Sequence, residues 1–381
     1  MKKLLLALLA VSGFSVAQAQ SSVSVYGILD VGYSGISTRA SSTTTTTKTQ
    51  TNKFDQSAES TSRLGFKGSE DLGNGTSAIF TAEFQLYPQD ATLSGNTNGG
   101  LVNRQTFVGL KKTGLGQAAV GTQYTPVFNA VAVTDPGAMN NAVGSVIYPA
   151  NGSDVTTAAF TVRSSNALTV QSDSFKGARL GAMYAANNKD ATQTGPSNTV
   201  GTTGGNTNIN GYGLTADYTW NKLYAVAAYQ NFRNETTSAS TATPVATANT
   251  NNNGTNVVDG QTYLGATYDF GILKAYASWI NRKATSVLDS NQFAKRQAQQ
   301  IGVRAYITPV VESWASVGTG RYTAYGAGQP TANFTGYQVG ANYYLSKRTN
   351  LYGIFGSTQT SSTSNGAAGA NQYAMGVRHT F

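Results

Sequence analysis

Asn371-Gln-Tyr-Ala-Met-Gly-Val-Arg-His-Thr-Phe381 is the stretch that decides the fold, and it ends the chain. One set of side chains contains every second residue from Tyr373 to Phe381, including Met375 and Val377. Small or polar residues alternate with this set. Successive side chains of an extended strand point to opposite faces, so the two sets lie on opposite sides. A tilted strand of about 9–11 residues crosses a bilayer. The stretch is therefore predicted to be a membrane-spanning strand with one face on lipid.

The N-terminus is typical of a cleaved secretory signal. Lys2 and Lys3 precede an apolar run, and Ala17-Gln-Ala19 has the form of a cleavage site. The apolar run is far shorter than the roughly 20 residues of a spanning helix, which argues against a membrane anchor. We expect residues 1–19 to be removed and residues 20–381 to form a single domain.

The composition points away from an ordinary soluble domain. Charged residues make up 11% of the chain, less than half of the roughly 25% that is usual. No later window approaches the 18 or so consecutive apolar residues of a spanning helix. Low charge without such a run is typical of a transmembrane barrel, in which lipid-facing and lumen-facing residues alternate. The absence of cysteine excludes disulfides and zinc-thiolate sites.

Two other classes of function are disfavoured. The formal net charge of +9 suggests nucleic-acid binding, but the basic residues are scattered and form nothing larger than pairs such as Lys111-Lys112. The single histidine, His379, falls on the lipid side of the last strand, and no phosphate-binding loop occurs. We therefore expect no nucleic-acid partner, no enzyme activity, and neither a metal nor a cofactor.

Segments with strand character recur along the whole chain, with connections that alternate between short and long. Asn74-Gly75 is a strong signal for a tight reversal, and residues 34–60 and 234–259 are long polar loops. Short turns on one rim and long loops on the other are typical of the outer membrane. We predict an all-β, antiparallel, up-and-down transmembrane barrel of 16 strands. The predicted strands are 23–32, 63–68, 76–87, 104–111, 118–124, 165–172, 178–186, 211–220, 222–232, 261–270, 273–282, 297–307, 313–322, 336–345, 351–357 and 372–381.

Five segments in a fixed order carry a family resemblance: Ser22–Asp30, Ser62–Gly73, Arg104–Leu110, Gly121–Pro126 and Gly376–Phe381. In these segments the chain resembles the trimeric general porins of the Gram-negative outer membrane. The resemblance implies sixteen strands, a homotrimer in outer-membrane lipid, and a water-filled pore for passive diffusion of small hydrophilic solutes and ions. It also implies assembly machinery that reads the last strand, with Phe381 as the signal.

The resemblance further implies a third exterior loop that folds into the lumen. Residues 126–163 form the longest interval without an alternating strand, and so long a loop in a compact protein is usually functional. The interval is richer in Val, Ala, Ile and Phe than the neighbouring loops. We expect it to pack against the wall and constrict the pore.

Fixed charges that face the lumen select the ions that pass. By their position in the motifs, Arg63 and Arg104 match the wall arginines that the resemblance implies, and Glu83 matches an acid beside them. Arg163 is a candidate for a third wall arginine.

The acid of the inserted loop is either Asp135 or Asp154, and Asp135 is favoured. With only 2 acids in the loop, the net field at the constriction should be positive. We expect a weak to moderate preference for anions, which salt would screen. The rival hypothesis is a substrate-specific channel for sugars or organic acids. A sugar channel would line its lumen with aromatic side chains and would need a longer chain.

Overall fold

The computed structural model describes residues 22–41, 44–95, 100–149, 159–191, 205–236, 256–287, 289–325, 331–361 and 367–381. No helix within these ranges is long and apolar enough to cross a membrane. The predicted signal, residues 1–19, and the alternative loop acid Asp154 lie outside them, and both stay predictions.

The described chain forms one closed antiparallel sheet. Apart from the second and third strands, which both pair with the first, each strand pairs with the next along the chain, and the last strand returns to pair with the first. Closure leaves no sheet edge exposed and pairs the backbone groups within the wall, which a lipid environment demands. The strands are β1 (Ser22–Ser41), β2 (Thr46–Gln56), β3 (Arg63–Gly73), β4 (Thr76–Gln85), β5 (Val102–Lys112), β6 (Gly116–Tyr124), β7 (Arg163–Ser172), β8 (Ala178–Ala191), β9 (Gly205–Trp220), β10 (Leu223–Thr236), β11 (Val257–Asp269), β12 (Lys274–Ser286), β13 (Phe293–Thr308), β14 (Val311–Tyr325), β15 (Ala332–Tyr344), β16 (Thr349–Thr360) and β17 (Ala368–Thr380).

The wall has sixteen strand positions because β2 and β3 share one of them. β3 pairs with the first part of β1, from Ser22 to Ile28. β2 pairs with the rest of the same strand, from Val31 to Ser41. The predicted barrel of sixteen antiparallel strands is therefore confirmed.

The predicted loop over residues 34–60 is wrong. β1 continues to Ser41, and Thr46–Gln56 returns beside it as an antiparallel hairpin. Threonine is β-branched and favours strands, but both faces of the upper part of this hairpin, residues 37–41 and 46–51, are mainly polar. Where both faces meet water, the alternation between apolar and polar residues disappears. For the same reason several strands reach further than predicted; β9, for example, begins at Gly205 rather than Gly211.

The last strand closes the barrel as predicted. Tyr373, Met375 and Val377 are exposed on its outer face, whereas Ala374 is buried. Backbone bonds run in both directions between Phe381 and Gly27, at 3.1 and 3.2 Å. The Phe381 ring also covers Gly27, where a Cβ would collide with it. The final residue is therefore part of the seam between the two ends of the chain.

The short turns lie at one rim, as predicted. Asn74 and Gly75 connect β3 to β4, both with positive φ values of 52° and 69°. Asn and Gly adopt that conformation more readily than other residues, which is why this pair makes a tight hairpin. The N-terminal end of β1 lies at this rim, and the β1–β2 hairpin rises at the opposite, exterior rim.

Residues 125–149 and 159–162 lie inside the barrel, as predicted for the third loop, and the first of these segments begins with a helix that was not predicted. α1 spans Pro126–Thr134, and its N-cap Thr125 accepts a bond from Phe128 N at 3.3 Å. The loop and the wall share an apolar core with no lipid contact. Its loop members include Val127, Val131 and Ile147, all fully buried.

Candidate pore constriction

Five wall glutamines hold the inserted loop in place. Their amides pair with backbone groups of the loop, which would otherwise be buried without partners. The bonds are Val127 N to Gln230 Oε1 at 3.0 Å, Thr161 N to Gln261 Oε1 at 2.8 Å, Val146 N to Gln300 Oε1 at 3.0 Å, Gln338 Nε2 to Val143 O at 3.1 Å, and Val143 N to Gln372 Oε1 at 2.9 Å. The loop is thus fastened along the inner face of β10 to β17.

Replacing Gln300 by leucine is expected to loosen the loop without unfolding the barrel. The change removes the acceptor of Val146 N, and a buried group left without a partner costs about 1–3 kcal/mol. Single-channel recordings should show more open-channel noise and altered conductance. Gln299→Leu is the matched control because Gln299 is exposed on the outer face of the same strand. Equal noise in the two variants would contradict this role for Gln300.

Arg104 and Glu83 form the buried centre of a charged cluster on the opposite wall. Arg104 Nε donates to Glu83 Oε1 at 2.7 Å, and both side chains are nearly buried, 6% and 5% exposed. Arg104 Nη2 also donates to the Tyr124 hydroxyl at 2.8 Å. A buried carboxylate needs such partners because burial without them is costly.

A β-bulge points Arg104 into the lumen. Glu83 pairs with Gln105 and Phe84 pairs with Asn103, so Arg104 has no counterpart on β4. Regular alternation would place Arg104 on the same face as Val108, which is 62% exposed on the lipid side. A bulge inserts one residue and re-aims its side chain. The inward position of Arg104 therefore depends on this irregularity.

Arg63 lies at the edge of the same cluster. Its Nη1 is 3.8 Å from Glu83 Oε1, and its side chain is 22% exposed. The Tyr26 hydroxyl donates to the other carboxylate oxygen of Glu83 at 3.1 Å. Gly65 lies between Tyr26 and Glu83 in the sheet, and a Cβ at Gly65 would collide with the Tyr26 ring. Arg63 is thus partly exposed, while Tyr26 and Arg104 both donate hydrogen bonds to Glu83.

Arg163 brings a third guanidinium group beside Tyr124. Its Cζ lies 5.9 Å from the centroid of the Tyr124 ring, a cation–π distance. Its Nε is buried without a hydrogen-bond partner among the described residues. Tyr148 reaches this cluster from the inserted loop: burial raises the pKa of its hydroxyl, while the positive charges of Arg104 and Arg163 lower that pKa.

The structure does not bring Asp135 to these arginines. Its carboxylate accepts bonds from Met139 N at 2.8 Å and from Gln300 Nε2 at 2.9 Å, and Arg304 of β13 is the cation that acts on it. Burial raises the pKa of the Asp135 carboxyl. Asp135 therefore anchors the loop to β13, and its expected place opposite the wall arginines is not what the geometry shows.

Comparison with known proteins decides the family. The chain matches the family of Gram-negative porins over residues 5–363. It belongs to that family. An outer membrane porin protein of Bordetella pertussis is 29% identical over 100% of both chains. Among solved structures, an anion-selective porin from Comamonas acidovorans has a TM-score of 0.65 at 21% identity, covering 95% of this chain and 100% of its own. OmpT of Vibrio cholerae, solved in a trimer form, has a TM-score of 0.61 at 13% identity, covering 95% of this chain and 99% of its own.

This porin is accordingly an outer-membrane channel, and its family consists of channels rather than enzymes. Passive diffusion of small hydrophilic solutes and ions through a water-filled barrel follows from the family and the closed sheet together.

Other acids in the described lumen of the porin are each held by a partner. Arg282 Nε donates a bifurcated hydrogen bond to the two carboxylate oxygens of Asp259, Oδ1 at 3.1 Å and Oδ2 at 3.0 Å. Glu312 accepts from Arg304 at 3.0 Å, and Asp217 accepts from Arg179 at 3.0 Å. Asp30 is fully buried and accepts from the Tyr352 hydroxyl at 2.7 Å. Three of these acids are paired with arginine, and none of the four adds an isolated negative charge to the pore.

Two tyrosines of the cluster could have been found from the sequence. Tyr26 belongs to the first predicted strand, residues 23–32. Val23, Val25 and Leu29 are exposed on the outer face of β1, and strict alternation from them places Tyr26 inside. Tyr124 comes directly before the loop, with its ring stacked on Phe128 at 4.0 Å. No sequence signal identifies Tyr148 because its position depends on the path of the loop.

Proposed function

We propose that Arg63, Arg104 and Arg163 give this porin a weak to moderate preference for anions. One observation carries the proposal: the cluster gathers three guanidinium groups around a single carboxylate, with Arg104 and Arg63 on Glu83 and Arg163 beside the Tyr124 ring. One carboxylate cannot neutralise three guanidinium groups, so a net positive charge remains at this wall. The partly exposed guanidinium group of Arg63 leaves N–H donors from which an anion in the pore could accept hydrogen bonds.

The course of the inserted loop supports the same function. The five glutamines that bind the loop belong to strands from β10 to β17, whereas the three arginines belong to β3, β5 and β7. The passage therefore runs between the loop and the arginine wall. Ions forced close to fixed charges feel them most strongly because the interaction falls with distance and with added salt. A positive wall beside the narrowest passage favours the entry of anions.

We also propose that this porin is a homotrimer in the outer membrane. OmpT of Vibrio cholerae, a protein of the same fold, was solved in a trimer form. The outer face of this barrel exposes apolar side chains such as Val25, Phe66 and Val108, which suit either lipid or a neighbouring copy. Size determination in mild detergent would show whether three copies associate.

The zero-current potential of the purified porin in a planar bilayer tests the ion preference. Under a KCl gradient K⁺ and Cl⁻ differ little in mobility, so the sign of the potential reports the preferred ion. We expect a potential of the anion-selective sign that shrinks as salt rises, because the Debye length falls from about 10 Å at 0.1 M to about 3 Å at 1 M. A trimer should close in three equal steps. A cation-selective sign would refute the proposal.

The substrate-specific alternative makes a different prediction for flux. A diffusion channel passes solute in proportion to concentration, whereas a channel with a binding site saturates. Uptake of a sugar and of acetate into liposomes that contain the porin separates these cases. Saturation with acetate alone would assign the arginines to an organic-acid site, and saturation with sugar would point to an aromatic site elsewhere.

Phe381 is proposed as the residue that the assembly machinery reads. Its ring is 41% exposed on the outer face, although its backbone already closes the seam with Gly27. Phe381→Ala should therefore refold in detergent nearly as well as wild type, yet reach the outer membrane of cells in much smaller amounts. Heat-modified mobility on gels measures both. If the variant also failed to refold in detergent, Phe381 would have a role in stability instead. Normal assembly of the variant in cells would show that Phe381 is not the signal.

A further inference from the structure

Gly121 lies in a row of paired residues that crosses the barrel wall just below the charged cluster around Glu83. Phe107 of β5 pairs with Gly121 of β6. Gly121 pairs with Ala167 of β7, which in turn pairs with Ala185 of β8. From this row towards the periplasm, each of these strand pairs keeps a regular register. The members of the cluster that belong to β5, β6 and β7 lie on the other side of the row, towards the exterior. The row therefore marks the height at which the site begins.

β6 and β7 leave their regular register directly beyond this row. The next pair that joins them is Gln123 with Ser164, so β7 advances by three residues where β6 advances by two. Asn166 lies in this β-bulge with a φ of 53°, a conformation that asparagine adopts more readily than most residues. In the described part of the chain, β7 and β8 form no pair beyond the row. The bulge thus sets the direction of the exterior ends of β6 and β7, where Tyr124 pairs with Arg163.

Gly121 has a backbone conformation that only glycine adopts readily. Its φ is 144°, and a residue with a side chain is strained at such a value. A Cβ at this position would collide with the Thr106 carbonyl oxygen and with the Phe107 Cα of β5. An alanine would therefore have to push β5 away or rotate the backbone of β6. Thr106 is two residues from Arg104, and Gly121 is three residues from Tyr124, so either movement would displace members of the cluster.

We propose that Gly121 and Asn166 are positioning residues for the fixed charges of the constriction. The close approach of β5 and β6 at Gly121 lets Arg104 Nη2 donate to the Tyr124 hydroxyl at 2.8 Å. The bulge at Asn166 brings Arg163 beside the ring of the same tyrosine. Neither positioning residue needs to touch an ion, because each acts through Tyr124 and its two arginines. The inference rests on the proposed ion preference only in its consequence for transport.

A double-mutant cycle on the full porin tests the positioning role of Gly121. Arg104→Met lowers the urea midpoint because it leaves Glu83 buried without its principal cation. In a Gly121→Ala background, where Arg104 is already displaced, that drop should shrink by about half or more, since coupled sites are not additive. Gly116 supplies the control: it lies at the other end of β6 with a φ of 139°, and a Cβ there would collide with the Gln171 carbonyl oxygen. Gly116→Ala should destabilise the barrel to a similar extent and leave the effect of Arg104→Met whole.

The zero-current potential under a KCl gradient separates the positioning role from the proposed function. Gly121→Ala should lose part of the anion-selective potential, whereas Gly116→Ala should keep the wild-type value. A reduced effect of Arg104→Met together with an unchanged potential would support the positioning role and would refute the assignment of the ion preference to these arginines. Additive losses of stability in the cycle would overturn the inference, whatever the potential.

Substitutions of Asn166 keep the inference testable if Gly121→Ala does not fold. Asn166→Ala and Asn166→Gly remove the same amide, but only glycine accepts the positive φ without strain. In the Asn166→Ala background the bulge should rearrange and move Tyr124 away from Arg104, so Arg104→Met should again cost less stability than in wild type. The Asn166→Gly background should preserve the full effect. Equal effects of Arg104→Met in these two backgrounds would overturn the inference.

Discussion

Replacing Arg63 and Arg163 by glutamate is expected to reverse the ion preference of this porin. The change converts three arginines and one glutamate into one arginine and three glutamates. A unit charge about 4 Å away contributes roughly 1 kcal/mol in bulk water and about 4 kcal/mol at an effective dielectric constant near 20. Two reversed charges therefore outweigh the weak preference of the wild type. The zero-current potential under a KCl gradient should change sign, most clearly at low salt.

Arg104 is left in place in this experiment because it holds the buried Glu83. A third glutamate there would bring two carboxylates together and would confuse loss of selectivity with loss of structure. Lys347→Glu/Arg348→Glu carries the same change of charge at the periplasmic turn and should keep the anion-selective sign. The Arg63→Gln/Arg163→Gln variant should give a zero-current potential near zero, between the values of wild type and the double glutamate variant. An unchanged sign in the double glutamate variant would show that the filter lies elsewhere.

Replacing Arg104 by methionine is expected to cause the largest loss of stability in the cluster. Glu83 would stay buried with its principal cation gone, and breaking a buried ion pair from one side costs about 3–5 kcal/mol. Arg63→Met should cost about 1 kcal/mol or less, because Arg63 is partly exposed and 3.8 Å from Glu83. Urea unfolding followed by fluorescence of the 3 tryptophans measures both.

A second substitution separates the ion pair from packing in this experiment. Glu83→Gln in the Arg104→Met background removes the stranded charge while keeping the shape of the side chain. Most of the lost stability should return, since a neutral amide is far cheaper to bury than a carboxylate. If the double variant were as unstable as Arg104→Met, the loss would come from the packing of Arg104 and not from the ion pair.

The membrane-spanning part of the fold could be predicted from the sequence, because the bilayer imposes a different environment on each face of a strand. Tyr373, Met375 and Val377 were placed correctly on this basis. The prediction failed above the membrane, where water contacts both faces and Thr46–Gln56 shows no apolar stripe. α1 was missed because Val127, Val131 and Val133 are β-branched and disguise a helix. The Thr125-Pro126 pair, an N-cap followed by a proline at the first helical position, was the available signal.

The residues of the site also fall into two groups, those whose position the sequence could predict and those whose position it could not. Arg63 and Glu83 follow from alternation alone, because each belongs to the lumen face of a regular strand. Arg104 occupies a position that alternation assigns to lipid, and only a family resemblance placed it in the pore. Asp135 was expected to face the arginines, but the end of α1 directs it to β13, where Gln300 binds it. Contacts set by the path of a loop depend on tertiary packing, and a local pattern does not encode them.

The five wall glutamines separate the size of the passage from its charge. Amides carry no net charge, so neither protonation nor added salt weakens their hold on the loop in the way that either would weaken an ion pair. The diameter of the channel should therefore remain constant at salt concentrations that screen its ion preference. The arginines lie on different strands from the glutamines. Substitution of the arginines can therefore change the ion preference while the size limit for solutes stays the same.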